Sequence, residues 1–530
     1  MMPDTVVATV VPSDDSDDGI DGKLVDARTP SDVIGDWGPM QRRILIFLTL
    51  CDLIAPFNNS GIIFYLQQPT FYCNVFNETT GSHDLYKNEC MIPGTGSKCT
   101  NFTYEHDDYR RTMVEQYDLV CDRQWYGSFS QSMKQVGTVV SGYLIGALSD
   151  NYGRVNAARY SIGLEILAGF GQAFAPNIVF FCAARFLSGF AGNGRYLTGY
   201  VLVNEWMGPK ARSRSAIFYV LGSNIGCILL PFAFYFYSDF RVLQSAVSIF
   251  EAILLVVYLL VVWESPRWLL THHKYEEAAT CLRNAARMKK ELSEEEIDQR
   301  IKSLQHKSMA TATTNGTKKK CIGGLIELMK ASKYRVVTLI LFYTWMVQTF
   351  IGSASSFNIS SLGGSIFLSF LIDSISSSIT NSMLLLMINR VARKSFLKAT
   401  MMVEVFGLLA LMGCSFHPEL YFWRLAFFMV FNSGRSATGK VYQLYTTETF
   451  PTTVRQSAIG ICSLFGNMAS AIAPFVKELN SITHAAVVLS IYIATATVNL
   501  ILILFVPETQ NTELPDIVPE SEKKPQPASP

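Results

Sequence analysis

The sequence Gly146-Ala-Leu-Ser-Asp150-Asn-Tyr-Gly153-Arg154 lies between two long apolar runs, at about 128–148 and 156–176. A partial copy, Asn389-Arg390-Val-Ala392-Arg393-Lys394, follows another apolar run at 364–388. Asp150 and Asn389 are 239 residues apart, which is nearly half of the 530-residue chain. The two stretches therefore suggest a chain built from two similar halves.

Two further motif pairs repeat at almost the same distance. Glu205 is followed seven residues later by Arg212, and Glu448 is followed seven residues later by Arg455, at an offset of 243. Glu264-Ser265-Pro266 is matched by Pro507-Glu508-Thr509 at an offset of 244. Three motifs repeated at nearly one offset indicate a duplication that covers most of the chain.

Apolar runs of membrane-spanning length accompany these repeats. Hydrophobic residues make up 49% of the chain and charged residues 16%, against roughly 25% in soluble domains. A helix needs about 20 apolar residues to cross a bilayer. The sequence predicts an all-α membrane protein with twelve transmembrane helices in two six-helix halves, which excludes a soluble enzyme. The runs lie at about 44–63, 128–148, 156–176, 179–203, 214–237, 242–263, 336–357, 364–388, 397–416, 420–444, 456–476 and 484–506.

Charge and parity predict the orientation. The segment 264–335 carries fifteen Lys and Arg against nine Asp and Glu, which places it in the cytosol by the positive-inside rule. Six spans on either side then place both termini in the cytosol. The expected units are a disordered acidic tail, a first half, a cytosolic helical loop, a second half and a tail, at 1–38, 39–263, 264–335, 336–506 and 507–530.

The loop 64–127 has the features of an extracellular segment. It is polar and holds two glycosylation triplets, Asn77-Glu-Thr79 and Asn101-Phe-Thr103. We expect its four cysteines to form two disulfides, with all three connectivities open, and the other seven cysteines to stay reduced. The four are Cys73, Cys90, Cys99 and Cys121.

The repeated charges lie at the expected cytosolic ends of helices. Acidic groups there can pair with basic groups on neighbouring loops, including across the two halves, and such pairs can hold one of two access states. We therefore predict a gating network, rather than ordinary turn and cap residues. Its members are Asp150, Arg154, Glu205, Arg212, Glu264, Arg267, Arg393, Glu448 and Arg455.

Two motifs carry a family resemblance. The stretch 146–154 resembles the cytosolic loop signature of the major facilitator superfamily. Glu264-Ser-Pro-Arg-Trp-Leu-Leu270 resembles, almost residue for residue, the segment after the sixth helix of the organic cation, carnitine and organic anion transporters. The resemblance covers about 31–520 and implies a transporter of small organic ions that works by alternating access. The chain departs from that family at Val155, Asn389, Ser377, Asn467 and 352–354, and several of these positions bear on substrate charge.

The resemblance also implies which helices line the central cavity, and charges at bilayer depth are functional candidates. Glu165, Glu251 and Glu404 fall on helices expected to be outer, and are expected to be packing or interfacial residues. The cavity helices carry Asp52, Lys134, Arg195, Asp373, Arg435 and Lys440. The predicted substrate-binding residues are Arg195, Asp373, Tyr200, Lys440, Asn467 and Trp345.

Substrate charge is only weakly indicated. Ser377 and Asn467 are neutral where a cation site would favour a carboxylate, whereas Arg195 can hold a carboxylate in bidentate fashion. The balance leans slightly towards a carboxylate-bearing substrate, anionic or zwitterionic, over a cation.

No cofactor, metal, ATP or nucleic acid is expected, and the predicted partners are the substrate and the lipid bilayer of the plasma membrane. The alternatives are a transporter-derived sensor that binds its ligand without moving it and a multi-pass membrane enzyme. The enzyme is disfavoured because all seven histidines lie in loops or at span ends.

Overall fold

The computed structural model describes residues 29–77, 82–92, 96–105, 111–289, 292–312, 332–359, 364–387, 391–417, 419–450 and 455–508. Each of the twelve apolar runs coincides with a helix or a broken helix. The first half comprises α1 (Ser31–Ile34), α2 (Pro39–Asp52), α3 (Ala55–Ser60), α4 (Ile62–Tyr65), α5 (Met113–Gln116), α6 (Trp125–Tyr152), α7 (Arg154–Ala173), α8 (Ile178–Trp206), α9 (Pro209–Phe236) and α10 (Phe240–Val261).

Three short helices follow, α11 (Pro266–Thr271), α12 (Tyr275–Lys289) and α13 (Glu294–Ala312). The second half comprises α14 (Ser332–Phe357), α15 (Ile366–Met387), α16 (Arg393–Cys414), α17 (Tyr421–Thr449), α18 (Arg455–Ile472), α19 (Phe475–Ile482) and α20 (Ala485–Leu502). The all-α architecture predicted from the sequence is confirmed.

Within the described residues, six helical stretches are long and apolar enough to cross a membrane on length and composition alone. The remaining long helices, such as α6, α8 and α17, carry polar side chains along their length, and some of these side chains line the cavity between the halves. The six apolar stretches are 39–65, Phe218–Phe236, Phe240–Val261, Arg335–Phe357, Arg393–Cys414 and Ala485–Phe505.

The first membrane segment is broken into α2, α3 and α4. Pro56 has no N–H to donate, and its ring excludes the carbonyl four residues earlier, so the helix is interrupted at residues 53 and 54. A second interruption falls at Gly61. The sequence pattern showed one continuous run here, and the break frees backbone groups for contacts with other helices.

The cysteine-rich loop forms a small sheet whose strands lie in the order β2-β1-β3, with β1 (Phe71–Asn77), β2 (Ser82–Lys87) and β3 (Phe102–Tyr104). Both neighbours are antiparallel to β1. Disulfides join Cys73 to Cys99 and Cys90 to Cys121. The structure therefore selects one of the three connectivities. We call the end of the bundle next to this loop the disulfide end, and the end next to α11–α13 the linker end.

The N-terminal stretch before α2 packs against the linker helices. Val33 and Ile34 are buried in one apolar cluster with residues of α12 and α13, among them Leu282 and Ile301. Arg300 of α13 donates a hydrogen bond to the carbonyl of Asp32 at 2.6 Å. Residues 31–34 are thus anchored at the linker end, whereas the acidic composition predicts a disordered tail over 1–38.

The two halves meet at the disulfide end. Phe64 of α4 stacks on Phe367 of α15 with ring centroids 5.6 Å apart, and Ser128 of α6 donates to the Glu478 carboxylate at 2.7 Å. Ser132 of α6 also donates to the carbonyl of Ala471 in α18. The phenylalanine pair belongs to an apolar core that contains buried residues of both halves. The arrangement closes the disulfide end of the bundle.

Candidate functional site

A cavity of about 570 Å³ lies between the two halves. It is lined by α2, α3, α4, α6, α7, α8 and α9 from the first half and by α14 and α17 from the second. Most of its lining side chains are charged, amide or hydroxyl groups. The polar and aromatic side chains are Asp52, Asn58, Asn59, Ser60, Gln131, Lys134, Gln135, Thr138, Glu165, Ser188, Asn193, Arg195, Tyr196, Ser223, Asn224, Ser353, Ser356, Phe357, Arg435 and Lys440.

Arg195 lies in the wall of the first half and pairs with two carboxylates. Its Nε donates to Glu165 Oε2 at 2.7 Å, and its guanidinium nitrogen lies 3.5 Å from Asp52 Oδ1. All three side chains are buried, which strengthens the attraction because little water screens it. The positive charge of Arg195 is therefore already neutralised inside the first half.

Asn58, in the broken first segment, links this ion pair to other helices. Its side-chain amide donates to Glu165 at 3.0 Å and to Glu251 at 2.7 Å. Its backbone carbonyl accepts hydrogen bonds from Lys134 and Arg185, both at 2.9 Å. The turn at residue 61 leaves this carbonyl available, so the helix break organises the polar network.

The second half presents two basic groups to the cavity. Arg435 Nε donates to the Asn432 side-chain oxygen at 2.7 Å, and the Asn432 amide in turn donates to Asp373. Lys440 lies five residues further along α17 and is exposed. Within the described residues no carboxylate oxygen lies within 4 Å of either basic group, whereas the first half pairs Arg195 twice.

The predicted substrate-binding residues are only partly brought together. Arg195 and Lys440 line the cavity. Tyr200 lies outside the lining but stacks on Tyr196, which does line it, with centroids 6.3 Å apart. Trp345 is buried and donates to Thr446 at 3.1 Å. Asp373 and Asn467 are not among the lining residues.

Sequence reasoning missed several lining groups. Glu165 was placed on an outer helix as a packing residue, yet it is buried at the ion pair and reaches the cavity. Its position at span depth was a usable signal, since buried charges in membrane segments are rarely incidental. Asn59, Gln135 and Asn224 also line the cavity, and amides within apolar runs could have flagged them. Within the described residues, no group of His, Cys, Asp or Glu is arranged to hold a metal ion.

The predicted gating residues of the first half form a network at the linker end. Arg154 pairs with Asp150 and, at 3.1 Å, with Glu205. Glu264 accepts the backbone N–H groups of Arg154 at 3.0 Å and Val155 at 3.1 Å, at the positive N-terminus of α7. Burial raises the pKa of Glu264, and these backbone hydrogen bonds oppose that shift.

Gly153 makes this approach possible. It has φ +104°, and an added Cβ would lie 2.4 Å from a Glu264 carboxylate oxygen. Only glycine fits both the backbone conformation and the contact. Gly153 thus allows the chain to turn between α6 and α7 and allows the Glu264 carboxylate to approach the backbone there.

The second half repeats the same contacts. Arg393 Nε lies 3.2 Å from Glu448 Oε1, and Glu508 accepts the backbone N–H of Lys394 at 3.1 Å, at the start of α16. The repeated motifs therefore occupy equivalent places in both halves. Each of these pairs lies within one half.

Three other residues, Arg212, Arg267 and Arg455, are also predicted to belong to this network. Arg212 and Arg267 lie near each other at the linker end, and the pKa of Arg267 is lowered by burial and by the nearby Arg212. Arg455 begins α18, and its side chain lies outside the described residues, as does Asn389.

Residues 91–519 match the family model of the sugar (and other) transporters. The chain is 26% identical over 531 residues to the organic cation transporter protein of Drosophila melanogaster, covering 93% of this chain and 94% of that one. It is 25% identical over 533 residues to organic cation/carnitine transporter 2 of Homo sapiens, covering 92% of each. Solute carrier family 22 member 3 of Mus musculus is 26% identical over 535 residues, covering 92% of this chain and 94% of that one.

Solved structures show the same fold. The xylose transporter XylE from E. coli, in a form described as inward open, aligns with a TM-score of 0.65 at 15% identity, covering 89% of this chain and 98% of that one. XylE bound to 6-bromo-6-deoxy-D-glucose aligns with a TM-score of 0.60 at 16% identity, covering 89% and 97%. These relatives and structural neighbours are transporters.

Proposed function

The chain belongs to the sugar (and other) transporter family of the major facilitator superfamily, and on that premise we propose that it carries small organic ions across a membrane by alternating access. It is a transporter of the organic cation and solute carrier family 22 type. The proposal adds a mechanism, a substrate charge and an orientation to that coarser assignment.

Alternating access is supported by the distribution of contacts between the halves. Phe64 with Phe367, and Ser128 with Glu478, close the disulfide end. The linker-end pairs, Arg154 with Glu205 and Arg393 with Glu448, each stay within one half. In this state the halves can separate at the linker end without breaking those pairs. The reverse state requires the disulfide-end contacts to open.

A carboxylate-bearing substrate is supported by the charge of the cavity wall. In the first half, Asp52 and Glu165 balance Lys134 and Arg195. In the second half, Arg435 and Lys440 line the cavity with no carboxylate within 4 Å in the described part of the chain. This uncompensated pair is the observation that carries the proposal, because a substrate carboxylate can neutralise it.

The proposed orientation of the protein in the membrane follows from the cysteine-rich loop 64–127. Two disulfides in one loop fit an oxidising compartment, so the disulfide end is extracellular and the linker end, with both termini, is cytosolic. Asn101 is exposed in that loop, and with Asn77 at the end of β1 it remains a proposed glycosylation site. The plasma membrane is the proposed location.

An uptake screen tests the proposal. Cells that express the chain at the surface are offered labelled organic anions, zwitterions such as carnitine, and the cation tetraethylammonium. We expect uptake of a carboxylate-bearing compound that is lost in Arg435→Gln. Robust uptake of tetraethylammonium that persists in Arg435→Gln, without uptake of any carboxylate, would reverse the assignment of charge.

A further inference from the structure

The wall of the central cavity is unusually polar for a site that accepts organic ions. Ligand pockets are usually lined mainly by hydrophobic and aromatic side chains. Here 26 residues line the cavity and only four have hydrocarbon side chains, Ala55, Ile63, Val220 and Phe357. An apolar or aromatic ion that enters this cavity would gain little from burial and would strip water from many amide and hydroxyl groups.

Several of these polar groups are available for a ligand. Gln135 on α6, and Ser223 and Asn224 on α9, line the cavity and make no side-chain hydrogen bond to the rest of the described chain. Other lining amides differ, since the Asn193 amide donates to the carbonyl of Thr138 at 3.2 Å. The first half therefore offers free donors and acceptors on two separate helices.

The basic side chains of the second half, Arg435 and Lys440, lie on the opposite wall of the cavity. Arg435 uses its Nε on Asn432, which leaves its two terminal nitrogens for other partners, and Lys440 lies nearer the linker end on the same helix. The lining carries four basic and two acidic side chains, and both acidic ones, Asp52 and Glu165, belong to the first half, where they pair with Arg195. One wall thus supplies hydrogen bonds and the other supplies positive charge.

The geometry points to a small, hydroxylated carboxylate as the substrate class, held by its carboxylate at Arg435 and by its hydroxyl groups at Gln135, Ser223 and Asn224. The inference rests on the proposed function, because it refines which carboxylates that site takes. A substrate of this kind satisfies the free amides and the uncompensated charge at once. An apolar carboxylate of equal size satisfies only the charge and leaves the amides desolvated and unpaired.

The test uses probes that separate charge from hydroxylation. Gluconate has six carbons, a carboxylate and hydroxyl groups, hexanoate has the same carbon number and charge without the hydroxyls, and sorbitol has the hydroxyls without the charge. Each hydrogen bond contributes roughly a 2- to 12-fold change in affinity. In proteoliposomes we expect saturable uptake of radiolabelled gluconate, with hexanoate and sorbitol each at least about tenfold weaker as competitors than unlabelled gluconate.

Two variants test which wall of the cavity binds the hydroxyl groups of the substrate and which binds its carboxylate. Asn224→Leu should weaken competition by gluconate towards the level of hexanoate, while competition by hexanoate stays as in the wild type and reports that the site is folded. Arg435→Gln should weaken gluconate and hexanoate together and leave sorbitol unchanged.

Hexanoate competing as well as gluconate, or an absence of gluconate uptake, overturns this inference while leaving carboxylate transport as proposed. Uptake of tetraethylammonium with none of the carboxylates overturns both.

Discussion

Arg195 illustrates how far a single residue could be interpreted from the sequence. Its depth in the fourth predicted span marked it as functional, and the structure places it at the cavity. Its partners, Glu165 and Asp52, come from two other helices, so the ion pairs depend on tertiary packing that the local pattern does not encode. The sequence therefore located the charge without indicating that it is already neutralised.

We expect Arg195→Ala to abolish uptake by destabilising the first half. The substitution leaves two buried carboxylates without their counter-charge, a loss that typically costs about 3–5 kcal/mol. Thermal unfolding of the purified variant in detergent measures the effect. The double variant Arg195→Gln with Glu165→Gln is the control and should recover part of the stability. A stable Arg195→Ala protein that binds no substrate would instead favour Arg195 as a direct carboxylate clamp.

Asp373→Asn should spare the uptake of a pure anion and impair that of a zwitterion. Asp373 accepts a hydrogen bond from Asn432, lies outside the cavity lining and interacts electrostatically with Arg435. Removing its charge leaves Arg435 able to hold a carboxylate but weakens the field that attracts an ammonium group. Parallel uptake of an organic anion and of carnitine checks this, and equal losses for both would contradict it.

At the scale of elements, the helices were predictable because each long apolar run had to be buried or lipid-facing along its whole length. The break in the first membrane segment was not predicted, because the apolar run continues on both sides of Pro56. The sheet of the cysteine-rich loop and the anchoring of residues 31–34 were also missed. Short strands and a four-residue helix have too little periodicity to identify, and their stability comes from disulfides and from packing on the linker helices.

The linker-end pairs should govern turnover more than substrate binding. We predict that Asp150→Asn and Glu448→Gln both lower the maximal uptake rate while KM and surface expression stay near wild type. The effect should be larger for Glu448, because Asp150 is 72% exposed and Glu448 is 23% exposed. Uptake kinetics with surface biotinylation provide the measurement. Normal maximal rates in both variants would contradict a role of these charges in turnover and would leave them as ordinary turn residues.

The loop should contain the Cys73–Cys99 and Cys90–Cys121 disulfides in the protein at the cell surface. Peptide mapping by mass spectrometry without reduction detects the linked fragments. Replacing both members of either pair by serine should cost about 2–5 kcal/mol and lower surface expression. Finding all four cysteines as free thiols would contradict both the pairing and the extracellular placement of the loop.

For the whole molecule, the duplication read from three offsets is reproduced in three dimensions. Arg154 with Glu205 and Arg393 with Glu448 are equivalent ion pairs, and Glu264 and Glu508 accept equivalent backbone groups at the starts of α7 and α16. Sequence motifs could predict this repeat because each lies at helix ends and in the short connection beside them. The cavity could not be predicted in the same way, since its wall combines residues from nine helices.

The central claim is that the chain moves a substrate by opening and closing its two ends in turn. Ser132 and Ala471 touch across the halves at the disulfide end, so cysteines at both positions can lock that end shut. The measurement is flux into proteoliposomes of the substrate found in the uptake screen, for the Ser132→Cys/Ala471→Cys variant before oxidation, after oxidation and after reduction, with the wild type treated identically. Alternating access predicts flux that stops on oxidation, returns on reduction and is unaffected in the wild type. Flux that continues through the crosslinked protein would contradict alternating access.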